Sequence, residues 1–147
     1  MKTNRMNLSL LTISLSALLA LTYCGDKSEE QPPEESNTNP VVTLDGTPAQ
    51  NMITVMEMGV NALKNNSENP AAAAGELNSI MASYNITDIR DQARAAKEAG
   101  QGATDEEKNR FKALMEEYKT LATDVGGKDP AAFNAAHSEW SRLWSIN

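Results

Sequence analysis

The chain of 147 residues carries 13 basic and 20 acidic side chains, 40% apolar residues, one histidine and one cysteine. That length allows one modest domain; the single histidine excludes a carboxylate-bridged di-iron centre built on two Glu-x-x-His pairs, and the single cysteine excludes a multi-cysteine zinc site and a disulfide scaffold. Aromatics are sparse at 5%, Met is plentiful, and Gly and Pro sit mainly between apolar-periodic stretches, so the composition favours an all-α fold.

Lys2 and Arg5 precede an uncharged run from Met6 to Leu21 whose apolar centre starts at Leu8. This run falls short of the roughly 20 residues of a membrane-spanning helix and fits a secretion signal. Next comes Leu21-Thr22-Tyr23-Cys24. It resembles the lipobox of bacterial lipoproteins, in which an aliphatic residue and two small residues precede an acylated cysteine. Leu21 and Thr22 match the pattern, and Tyr23 is bulkier than the residue it replaces. The resemblance implies a signal peptide over residues 1–23, acylation of Cys24, and a place in the bacterial cell envelope. With Gly25 after the cysteine, where the family's inner-membrane retention signal has Asp, it implies the outer membrane over the inner. A lone thiol in an exported protein has no intramolecular partner, and its use as an attachment point accounts for its singleness. Two or three acyl chains hold a protein on a bilayer firmly, whereas one does so only marginally.

Residues 24–47 follow as a lipidated cysteine and a disordered acidic tether. From Gly25 to Thr47 the stretch has six acidic residues against one lysine, with Pro32, Pro33 and Pro40. It has too little apolar surface to fold alone, reaches about 25 Å as a coil, and repels anionic lipid. In a second reading Val41, Val42 and Leu44 form a short strand packed back on the domain.

Residues 48–147 read as a helical bundle domain. Thr47, Pro48 and Gln50 make a cap, a first-turn proline and a capping box, predicting a helix from Pro48 to about Asn65 with Met52, Ile53, Met56, Val60 and Leu63 on one face. Asn69-Pro70 repeats the signal, and Ala73, Leu77, Ile80, Met81 and Tyr84 continue as a stripe that falters near Tyr84-Asn85. Ile86, Ile89, Ala93 and Ala96 resume it behind a cap at Thr87, up to Gly100 and Gly102. Thr104 with Glu107 opens a helix whose seam is Phe111, Leu114, Tyr118, Leu121 and Val125, closing before Gly126-Gly127. Asp129-Pro130 starts the last, with Phe133, Ala136, Trp140 and Leu143 in line and Trp144 beside them. Short connections predict an antiparallel four-helix bundle with a break or kink in the second helical segment.

The domain's net charge of −4, without a basic patch, excludes nucleic acid as a partner. There is neither a phosphate-binding glycine loop nor a nucleophile elbow. Glu106-Glu107 and Glu116-Glu117 are sequence neighbours whose side chains diverge on a helix, so they read as solvated faces and not as an acid/base pair. The expectation is therefore a non-enzymatic binding or interaction module with a membrane contact through its lipid, an envelope protein as partner, and no cofactor. Met52, Met56 and Met58 do not share one helical face, which argues against a thioether copper site. Trp140 and Trp144 are either core or an exposed pair for a partner. One alternative concerns haem. Asn51-Met52-Ile53-Thr54 and Asn134-Ala135-Ala136-His137 resemble tetrapeptides of the b-type four-helix cytochromes. That resemblance implies a periplasmic electron carrier with haem b held by Met and His; counting from the helix ends places Met56 level with His137.

Overall fold

The computed structural model describes residues 42–146, which are all-helical, with no strand among them. The helices are α1 (Pro48–Asn65), α2 (Pro70–Ser83), α3 (Ile86–Glu98), α4 (Asp105–Lys128) and α5 (Pro130–Trp144). Each starts where a side chain takes up an otherwise unpaired first-turn N–H. The Thr47 hydroxyl accepts from Gln50 N at 3.2 Å while the Gln50 amide oxygen accepts from Thr47 N at 3.1 Å. Thr104 and Glu107 close the same reciprocal box on α4. Asn69 and Asp129 accept from Ala72 N and Ala132 N, each at 3.1 Å, behind Pro70 and Pro130.

The second segment breaks into two helices between Ser83 and Ile86. Tyr84 is extended at φ −124°, ψ 130°, and Asn85 caps α3 by accepting from Asp88 N at 3.1 Å. Asn85, and not Thr87, is therefore the cap. An amide there reaches the N–H three residues on, and the extended Tyr84 ends the preceding run of helical hydrogen bonds. Gly126 and Gly127 lie inside α4, which runs on to Lys128. Gly126 packs closely on Phe133: a Cβ would meet the ring at 3.2 Å, and the ring would have to shift slightly to admit it.

Helix directions follow from side-chain pairs. Glu57 meets Arg110, and two turns further along both helices Lys64 meets Glu117, so α1 and α4 run side by side in the same direction. Tyr118 stacks on Trp140 and Phe111 packs on Trp144, so α4 and α5 are antiparallel. The late α2 residues Met81 and Tyr84 share a groove with the late α5 residues Glu139 and Leu143, which makes α2 and α5 parallel. The largest interfaces are α1 on α4 and α2 on α5. Chain direction therefore alternates over α1, α2, α4 and α5, as short turns predict, but the neighbours that share most surface are the parallel pairs and not the antiparallel ones. The connection from α2 to α4 contains α3, which packs on α1 and α5.

The core joins Val55, Met56, Val60 and Leu63 of α1 to Leu77 of α2, Ile86 of α3, Leu114, Tyr118 and Val125 of α4, and Phe133, Trp140 and Trp144 of α5. The expected stripes hold, with Met52, Ile53, Ile80, Met81, Tyr84, Phe111, Leu121 and Leu143 half-buried at its edge. Both tryptophans are core. The stretch entering α1 packs back on the helices without forming a strand: Val42 N donates to Ser83 O at 2.8 Å, and Leu44 is half-buried against the core. Val41, Cys24 and the leader lie outside the described residues, and no helix within those residues is long and apolar enough to cross a membrane.

Candidate functional site

His137 sits on the α4-facing side of α5, half-buried, one turn after Phe133. Its ring stacks on Phe133 with centroids 5.5 Å apart and planes at 11°, and on Tyr118 at 5.8 Å and 26°. Its Nδ1 lies 3.2 Å from the Tyr118 hydroxyl. Burial pushes the Tyr118 phenol well above its usual range, and burial also lowers the His137 pKa from its ordinary value. Both effects have one origin, since an apolar seam disfavours whichever form is charged. The phenol therefore keeps its proton, and it shares one hydrogen bond with Nδ1 in which the imidazole tautomer decides which group donates.

This pair begins an aromatic ladder. Tyr118 stacks on Trp140 at 5.7 Å, Trp140 meets Trp144 at 5.9 Å, and Trp144 meets Phe111 at 5.6 Å. The ladder fills the α4–α5 seam. The indole Nε1 atoms of Trp140 and Trp144 are buried with no hydrogen-bond partner among the described residues, so these side chains are placed for ring packing at a cost in polar satisfaction.

Met56, the other residue considered for haem, is fully buried within the apolar core. The structure brings His137 to Tyr118 and Phe133. Among the described residues a groove of about 340 Å³ opens between the end of α2, the start of α3 and the end of α5, and a smaller one of about 110 Å³ between Val42–Leu44 and α3. Neither is lined by Met56 or His137. Met52 and Met58 are half-buried. Among the described residues no three His, Cys, Asp or Glu side chains are placed to hold a metal ion.

The adjacent acids are divided between separate tasks. Glu107 completes the α4 cap, Glu116 pairs with Lys119 at 3.5 Å, and Glu117 reaches Lys64 at 2.7 Å. Glu139 is gripped by both ends of the Arg142 guanidinium, at 2.6 and 2.7 Å, and this holds its carboxyl below the usual range. Lys128 gathers the opposite end of the molecule by donating to Ser67 O at 2.9 Å and Glu68 at 2.8 Å while pairing with Asp124.

Two residues with decisive positions escaped the sequence reading. Gly59 receives the face of Trp140, and Arg90 donates to the Leu143 carbonyl at the end of α5. A glycine inside an otherwise regular helix was the available signal for the first; nothing local marks the second. Compared with known protein families, curated proteins and solved structures, the chain matches none of them.

Proposed function

We propose that the protein is a lipid-anchored component of the bacterial cell envelope, held by acyl chains on Cys24, whose helical domain is a non-enzymatic binding or interaction module. The observation that carries this reading is a lone cysteine directly behind a basic, then apolar leader, a position where a free thiol is a liability in an oxidising compartment and an acylated one is an anchor. Gly25 after the cysteine favours the outer membrane, and the acidic residues that follow act as a spacer. In the domain α1, α2, α4 and α5 are the arms of a four-helix bundle, and α3 is the crossover between two of them. The module reading is supported by how the polar side chains are used, in helix caps and surface ion pairs, with Tyr118 buried and His137 half-buried against aromatic rings.

Mass spectrometry of the mature N-terminus together with fractionation of the cell envelope tests this. The expected result is a diacylglyceryl-modified Cys24 in the membrane fraction and release of a Cys24→Ser variant from it. A mature chain that starts elsewhere without acyl groups overturns the anchor. Turnover that is lost on changing His137 overturns the non-enzymatic reading, and a Soret band abolished by His137→Ala replaces it with an electron carrier.

A further inference from the structure

Of the 13 residues of α3 only Ile86 and Ile89 are buried, whereas α5 buries Phe133, Trp140 and Trp144 in 15. Beyond Ile89 the inward positions of α3 are Ala93 and Ala96, each half-buried. Buried apolar area sets how much free energy a segment needs to leave the fold, so α3 is the most weakly held helix. Its N-terminal turn is also poorly filled on both sides. The groove of about 340 Å³ opens between Ile86, Thr87 and Leu143, the opening of about 110 Å³ lies between Leu44 and Ile89, and Asn85 borders both.

Each end of α3 has a backbone joint. Tyr84 is extended before it. After it, Gly100 takes a positive φ of 75°, a conformation that costs glycine little, with Gly102 two residues on. Among the described residues a single side-chain hydrogen bond joins α3 to another helix: the Arg90 guanidinium donates to the carbonyl of Leu143. That carbonyl belongs to the last turn of α5, where the helix supplies no partner of its own and where the negative end of its dipole attracts a cation.

We infer that α3 is a hinged cover that swings off α1 and α5 about Tyr84–Asn85 and Gly100–Gly102 while the other four helices stay packed, with Arg90 as its latch. Opening uncovers Leu143 and the side of α1 beneath α3, which gives the domain two surfaces with different apolar character. The inference concerns the domain alone and stands whether or not Cys24 is acylated.

Hydrogen exchange of the full chain, read by mass spectrometry in native buffer, tests it. Amides of α3 are expected to exchange at least roughly tenfold faster than the core amides of α1 and α4, through an opening that leaves those helices protected. Arg90→Ala is expected to accelerate α3 by a further factor of about ten, as for loss of one charge-assisted hydrogen bond, and to leave α4 unchanged. Equal exchange of α3, α1 and α4 in the unaltered chain overturns the hinge, and that comparison needs no variant. Acceleration of all helices together by Arg90→Ala, or none in α3, overturns the latch.

Discussion

Trp140 lies flat against the backbone of Gly59: a Cβ at that position would sit 2.7 Å from Cη2 of the indole and nearer still to Cζ2. The contact sets the largest fully buried side chain of α5 against the middle of α1. Gly59→Ala therefore sets two effects against each other. Alanine gains about 1 kcal/mol of helix propensity, but the methyl must displace a ring packed against Tyr118 and Trp144, and overpacking of this kind costs about 1–3 kcal/mol. Because the ring is hemmed in, the clash wins, and a lower melting temperature is expected. Gly75→Ala is the control. It lies inside α2 with nothing within 4 Å of its missing Cβ, so the propensity term acts alone and stability rises by about 0.5–1 kcal/mol. Thermal unfolding of both variants checks the pair, and destabilisation of equal size in both removes the packing argument.

The seam of α4 separates two leucines that the heptad pattern treats alike. Leu114 is 3% exposed, while Leu121 is only half-buried at the core's edge. Leu114→Ala removes a fully enclosed side chain and is expected to cost about 2–5 kcal/mol in urea unfolding. Leu121→Ala opens onto solvent, which fills part of the gap, so its cost is smaller. An equal loss at both sites would place Leu121 inside the core.

The helix starts were legible in the sequence because a cap is local: Thr47 with Gln50 and Thr104 with Glu107 act across one turn and need no knowledge of the rest of the chain. The apolar stripes were legible for the same reason, since their spacing depends on one helix at a time. What the sequence concealed depends on partners distant along the chain. The pairing of α1 with α4 joins residues 53 apart, as in Glu57 with Arg110 and Lys64 with Glu117, and the Arg90 bond also spans 53 residues. His137 shows the limit clearly. Its position in a helix was readable, but its partner, Tyr118 on the neighbouring helix, depends on the relative rotation of two helices, which no single-helix pattern encodes. Counting from helix ends singled out Met56, a residue of the core.

The burial of His137 makes stability respond to pH in mildly acidic solution. Burial lowers the His137 pKa below its ordinary value, so in the window from about 6.5 down to the folded-state value the unfolded chain binds the proton more readily than the folded one. The contribution of His137 is thus fully present above about pH 6.5, declines as the pH falls through that window, and is constant below it. Protonation turns Nδ1 into a donor, and the Tyr118 hydroxyl oxygen then accepts from it. Carboxylates titrate mostly at lower pH and add little to this window. Urea midpoints measured at about pH 7.5 and about pH 5.5 should fall more steeply for the unaltered chain than for His137→Gln, whose neutral amide cannot titrate. If the two slopes coincide, the imidazole is as solvated in the folded chain as in the unfolded one, and the α4–α5 seam does not enclose it.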